Sequence, residues 1–286
     1  MIRRRKIGLA MKQSSLSIQK LSPSIGAEIE GVDLSATPRD GRLEEIHRAL
    51  LEHLVIFFRD QNLSPEQHKA LGRRFGRLHI HPAPLAVLRG HPEIVIIEAD
   101  EHSTRIAGGE WHSDVSCDTE PPLGSILYLK KAPSVGGDTL FANMYAAYEA
   151  LSDSMQRFLA GLTAIHDGSR NYAGRQPIRE RGAEFPRAEH PMVRTHPETG
   201  RNALFVNHLF TTRVVQLAQH ESDAVLQMLF EHIKNPKFQC RFRWRPNSVA
   251  FWDNRCTQHL ALWDYYPEQR YGHRVTIAGD RPFIRT

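Results

Sequence analysis

From residue 16 onward the chain alternates apolar and polar positions in short runs, at 16–21 and 27–32, which predicts β-strands. The period then changes: Leu43, Ile46, Leu50 and Leu54 recur every three or four residues, so 42–53 is expected to be an amphipathic helix. Val55-Ile56-Phe57-Phe58 follows as a compact buried strand. Ser64-Pro65-Glu66-Gln67 opens a second helix, with Ser64 as cap, Pro65 in the first turn and Gln67 completing a capping box, and this helix should run to about Phe75. Beyond Trp111 short β-rich runs dominate, at 125–129, 139–142, 192–195, 204–207, 241–244, 249–252 and 275–278, each closed by Gly, Pro or Asn. Such spacing suits a sandwich or jelly roll, hence a mainly β, α+β class. Two helical stretches, 145–162 and 222–232, interrupt it and should pack outside as supports. Residues 1–15 show no periodicity and read as a frayed lead or an expression artefact. No repeat or linker divides the remainder, so one domain over 16–286 with helical insertions is expected.

Composition adds exclusions. Of 286 residues 41% are hydrophobic and 24% charged, close to a globular average, which argues against disorder and fibrous architectures. No apolar run nears the roughly 20 residues of a spanning helix, and the apolar stretch after Arg3-Arg4-Arg5-Lys6 is too short for a signal-peptide core, so no membrane association is expected. Cys117, Cys240 and Cys256 are odd in number and far apart, which predicts reduced thiols in a cytoplasmic protein. The net charge of +5 lacks a clustered basic face. In Arg241-Phe242-Arg243-Trp244-Arg245 strict alternation sends the two aromatics inward and the arginines to solvent. No nucleic-acid partner is expected, and the modest positive field favours small anions.

Sixteen histidines invite a metal, and spacing must select among them. His91-Pro92-Glu93 and His196-Pro197-Glu198 suggest solvated turns. His112-Ser113-Asp114 follows the Gly108-Gly109 loop, and if extended its two end residues point the same way. One His-x-Asp is expected by chance in such a chain, so the pair needs a third ligand. His259, after the 249–252 strand and Asn254-Arg255-Cys256-Thr257-Gln258, supplies the candidate. Two imidazoles and one carboxylate on one face leave positions open for a chelating cosubstrate and dioxygen, which suits non-haem iron(II). A closed zinc site would want a further ligand such as Cys117. Arg270 and Arg274, four residues apart, share a face, and the guanidinium fork suits a carboxylate or sulfonate.

Trp111-His112-Ser113-Asp114, Gly136-Gly137-Asp138-Thr139, and Trp252 to His259 through Gln269-Arg270 to His273-Arg274 together resemble the taurine dioxygenase (TauD/TfdA) family, over nearly the whole chain from residue 16. The resemblance implies a double-stranded β-helix (jelly-roll) core with flanking helices, Fe(II) on His112, Asp114 and His259, and the cosubstrate 2-oxoglutarate on Thr139 and Arg270. It implies a substrate anion at Arg274, assisted by His81, with Phe210, Tyr172 and Val115 walling the pocket, and a homo-oligomer, dimer or tetramer. The implied reaction uses O2 to hydroxylate a small anionic substrate, with succinate and CO2 released. At the far end of the substrate the sequence departs from the taurine enzyme, whose amine-gripping positions read Pro84, Gly108 and Ala107 here and offer an ammonium no acceptor. Residues 101–109 instead resemble relatives acting on aryloxyalkanoate acids. A sulfonate, sulfate ester or carboxylate with an apolar tail is expected. The alternatives are taurine dioxygenase proper, a His/Asp metal-dependent hydrolase using metal-bound hydroxide, and a non-catalytic barrel that binds a small acid.

Overall fold

The apolar run at 55–58 is the strand Val55–Phe58, buried at all four positions. In the computed structural model, which describes residues 16–36, 38–81, 85–173 and 185–285, it pairs antiparallel with Ser248–Asp253 and parallel with Ala27–Glu30. The lead at 1–15 and Pro84 lie outside the described residues. The sheet continues from Ser248–Asp253 through Gly124–Lys131 and Arg270–Ile277 to His91–Ala99. Ser17–Lys20 and Val87–Leu88 form its edges, making eight strands. A three-stranded sheet, Gln239–Phe242, Thr139–Asn143 and Thr257–Ala261, faces it. Phe57 stacks on Phe242 across the gap, with ring centroids 3.8 Å apart. These two sheets are the jelly-roll core.

Alternation along the large sheet explains the sequence pattern. Phe57, Leu127, Leu129, Ala250 and Trp252 join Phe141 and Phe242 between the sheets. The intervening Ile56, Phe58, Ile126, Tyr128, Val249 and Phe251 pack against Ile46, Leu50 and Leu71 on the helices Asp40–His53 and Pro65–Arg73. A strand covered on both faces has no polar side, so these strands read as nearly unbroken apolar runs. The predicted capping box is present: Gln67 N donates to Ser64 Oγ at 3.2 Å and Ser64 N to Gln67 Oε1 at 2.8 Å.

Several expectations need correction. The stretch 145–162 is two helices, Met144–Glu149 and Asp153–Ala160, because Ser152 caps a new start by accepting from Met155 N. The later helix begins earlier, at Gln219–His232, where Glu221 Oε2 accepts from Ala218 N. The run expected at 204–207 is the strand Asn202–Leu204. His91-Pro92-Glu93 opens the strand His91–Ala99 rather than a turn, with Pro92 near the strand start, where a missing donor is tolerated. A third sheet, Thr211–Val214, Thr163–Asp167 and Arg187–Pro191, has no counterpart in the sequence reading. Among the described residues no helix is long and apolar enough to cross a membrane.

Candidate active site

Register places the chemistry. In the small sheet Phe141 lies opposite His259 and Thr139 opposite Ala261, so all four side chains share the face turned toward the large sheet. In the large sheet Arg270 and Arg274 lie opposite Ala99 and Val95, and Arg274 also lies opposite Leu127, on the face that looks back. His112 joins them without belonging to a strand. Its backbone exchanges two hydrogen bonds with His259, at 3.1 and 2.9 Å, which brings the imidazole centroids to 4.1 Å.

The turn after His112 is fastened from several sides. Ser113 Oγ donates to Thr257 O at 2.8 Å. Asn254 accepts from Asp114 N through Oδ1 at 2.6 Å and donates from Nδ2 to Asp114 O and Pro122 O at 2.9 and 3.1 Å. Ser125 Oγ donates to Asp114 Oδ2 at 2.7 Å. Val115 follows at φ 50, a left-handed conformation unfavourable for a β-branched residue, which these surrounding bonds hold in place.

Nε2 of His112 lies 3.7 Å and Nε2 of His259 4.0 Å from Asp114 Oδ1, and the ligand atoms of the three residues lie within 4.8 Å of one another. His112 Nδ1 donates to Glu110 O at 2.7 Å; because a carbonyl only accepts, the lone pair of the neutral ring is on Nε2. Burial lowers the pKa of His112 against the opposing pull of Asp114. Burial, then the neighbouring His112, holds His259 well below the usual histidine range. Burial alone would raise Asp114, but Arg274, His259 and His112 outweigh it and keep the carboxyl below the usual carboxylate range. Two neutral imidazole nitrogens and one ionised carboxylate therefore converge, a donor set that fits an open divalent metal site. Cys117 is not in the cluster, and burial pushes its thiol up to about 12, so no thiolate closes the site. Arg274 Nη1 lies 2.6 Å from Asp114 Oδ1.

Two adjoining cavities open from this point. The inner, about 50 Å³, is lined by His112, His259, Thr139, Trp244 and Arg270. Trp244 Nε1 donates to Thr139 Oγ1 at 2.9 Å, and the Arg270 guanidinium sits 5.5 Å from the Trp244 ring centroid. Arg270 is buried, its Nε has no hydrogen-bond partner, and among the described residues no carboxylate pairs with it. A cation desolvated without a counter-charge is costly, so this cavity suits an anion. The outer cavity, about 220 Å³, is lined by His81, Asp114, Val115, Tyr172, Phe210 and Arg274. Tyr172 Oη lies 3.3 Å from His81 Nε2, and the Tyr172 and Phe210 ring centroids are 5.9 Å apart. All ten residues singled out from the sequence line one cavity or the other, and Ala107 and Gly108 line both.

A second buried group, His196, Asp253 and Cys256, also clusters. Its polar atoms are engaged: His196 Nδ1 accepts from Glu198 N and Thr199 N, while Asp253 takes His196 Nε2 at 3.0 Å and both Nε and Nη2 of Arg255. This group braces the turn leading to His259. His196 was expected in a solvated turn; the turn exists, but the side chain is buried against Asp253. Sequence reasoning also assigned no role to Asn254, Ser125 or Trp244. The inward alternation of Trp244 was the one signal available for them.

Residues 17–276 match the family model described as "Taurine catabolism dioxygenase TauD, TfdA family". An alkylsulfatase of Acinetobacter baylyi is 35% identical over 276 residues, covering 93% of this chain and 86% of that protein. An alpha-ketoglutarate-dependent sulfonate dioxygenase of Saccharomyces cerevisiae is 33% identical over 288 residues, covering 93% and 68%. The crystal structure of a taurine dioxygenase from Burkholderia xenovorans superposes with a TM-score of 0.82 at 38% identity, covering 94% of this chain and 91% of that one.

Proposed function

This chain belongs to the TauD/TfdA family of iron(II)- and 2-oxoglutarate-dependent dioxygenases, and from that premise we propose that it hydroxylates a small sulfonate, sulfate ester or carboxylate bearing an apolar tail. His112 Nε2, His259 Nε2 and Asp114 would hold the iron, and Arg270 with Thr139 the distal carboxylate of 2-oxoglutarate. When bound, iron, 2-oxoglutarate and O2 supply the oxidant that puts one oxygen atom into a substrate C–H bond, with succinate and CO2 as coproducts.

The protein's contribution is placement. Arg270 would neutralise the distal carboxylate of the cosubstrate from a buried position, where a charge-assisted fork is strong. Arg274, assisted by His81, would take the substrate anion in the outer cavity, so the carbon next to the anionic group lies nearest the donor cluster. Phe210, Tyr172 and Val115 would exclude water around it. Where that carbon carries sulfur or an ester oxygen, the hydroxylated product collapses to a carbonyl compound and releases sulfite or sulfate. Ala107 and Gly108 give an ammonium no partner, which favours an apolar tail over taurine. The reading includes one domain over 16–286, a cytoplasmic setting, supported by three separate buried thiols, and a homo-oligomer by family resemblance.

The observation that carries it is the convergence of two neutral imidazoles and an ionised carboxylate beside the unpaired, buried Arg270. Succinate release should be measured across sulfonates, alkyl sulfates and aryloxy acids, with Fe(II) or O2 withheld in parallel. Release requiring both, and abolished in His112→Ala, is expected. Turnover without O2 or 2-oxoglutarate would instead identify a hydrolase. Unaltered binding of iron and 2-oxoglutarate by His112→Ala would argue for a non-catalytic binder, and taurine as best substrate would overturn the tail assignment.

A further inference from the structure

Residues 206–210 link the strand Asn202–Leu204 to Thr211–Val214, and two of them, Leu209 and Phe210, line the outer cavity. The same short segment hydrogen-bonds to a neighbour of each of the three donor residues. Leu209 N donates to Trp111 O at 3.3 Å, beside His112. Asn207 Nδ2 donates to Ser116 Oγ at 2.8 Å, two residues after Asp114. Val206 O accepts from Gln258 Nε2 at 2.6 Å, beside His259.

Asn207 ties the two ends of this arrangement together through its side chain. Oδ1 accepts from Phe210 N at 3.0 Å; because a backbone N–H only donates, this bond fixes the amide and turns Nδ2 toward Ser116. The third sheet anchors both partners: Ser116 Oγ lies 2.9 Å from His166 Nδ1, and Asp167 N donates to Phe210 O at 2.8 Å. Asn207, Ser116, His166 and Phe210 are all buried, so solvent does not replace a lost partner and the segment must shift instead.

We propose, on the footing of the hydroxylation set out above, that Asn207 is a positioning residue that keeps the Phe210 wall in register with the Asp114 turn, so that each turnover oxidises the bound substrate. In a coupled turnover one atom of O2 enters succinate and the other enters the substrate C–H bond. When the wall drifts from the donor cluster, 2-oxoglutarate is still converted to succinate and CO2, but the second oxygen atom leaves as water, with two electrons and two protons drawn from ascorbate in the assay. Asn207 acts through Ser116 and Phe210, so its loss lowers the yield of oxidised substrate more than the rate of succinate release.

The test is substrate consumed per succinate formed, with ascorbate present, for the sulfonate, alkyl sulfate or aryloxy acid that gives the most succinate. The unmodified enzyme should consume about one substrate per succinate, and Asn207→Ala should lower that ratio about threefold or more. Ser116→Ala cuts the same bond from its other end and should lower the ratio similarly, while the double variant should fall no further than the lower single variant, the mark of one shared interaction. Ser64→Ala, which removes a helix cap on the outer face of the large sheet, should keep the ratio of the unmodified enzyme. Should Asn207→Ala fail to fold, Ser116→Ala decides alone. An unchanged ratio in the folded variants, losses that multiply in the double variant, or an equal fall in Ser64→Ala overturns the positioning role. No succinate from any anion of the panel overturns instead the function on which it rests.

Discussion

Asn254 fastens the two halves of the donor cluster: it sits in the turn that leads to His259, and its amide closes on both sides of the Asp114 peptide. Removing it leaves Asp114 N–H and C=O and Pro122 C=O without a partner in a buried setting, at about 1–3 kcal/mol for each group. Asn254→Ala should therefore lower thermal stability and weaken iron binding by about tenfold or more, as outer supports of metal ligands commonly do. Anaerobic iron titration alongside thermal unfolding checks this, and unchanged iron affinity would show that Ser113 and Ser125 suffice to hold Asp114. At this scale much was legible, since residue type and local spacing selected His112, Asp114 and His259 from sixteen histidines and many carboxylates. Asn254 and Ser125 were not, because their partners, the backbone of Asp114 and its carboxylate, lie 140 and 11 residues away, and an amide or hydroxyl has no local pattern that announces its partner.

The elements read best were those whose signals are local. Val55–Phe58 and the helix opened by Ser64 appear where propensity and capping place them. Ser64→Ala should cost about 1 kcal/mol, since one first-turn donor loses its acceptor. Urea unfolding would measure the loss, and the KM for 2-oxoglutarate should stay the same because the helix packs on the outer face of the large sheet. Elements depending on tertiary partners were missed. Thr163–Asp167 and Arg187–Pro191 carry His166 and His190 at buried positions. In sequence those histidines look like polar interruptions; in the fold they pack on each other and on Phe205, with ring centroids 5.2 to 5.6 Å apart.

Across the whole molecule, buried neutral histidines set the acid limit of stability. Burial brings His68, whose Nε2 donates to Ile126 O, and His190, whose Nε2 donates to Asp118 O, down to about 4 from an ordinary 6.5. Between those values the unfolded chain binds protons that the folded chain refuses, so stability rises as pH climbs from about 4 to 6.5 and is level above. Each histidine contributes roughly 3 kcal/mol across that window. Urea unfolding at several pH values should show this slope, and His68→Gln should remove that residue's share of it, with His112, His166, His190 and His259, also held below the ordinary value by burial, supplying the rest. A slope unaffected by that substitution would mean that other groups dominate acid unfolding.

Sequence alone determined the mainly β class, the buried strands and first helices, and the residue types able to hold a divalent metal and two anions, because periodicity, capping and ligand chemistry are local properties. Only the tertiary structure decided that these residues meet. Antiparallel register carried Thr139 and Phe141 onto the face of His259, and a two-bond bridge brought His112 alongside. It also decided that Arg270 is buried without a carboxylate, and that residues 206–210 reach a neighbour of each donor residue. Such facts depend on distances between segments far apart in the chain, which no local pattern encodes.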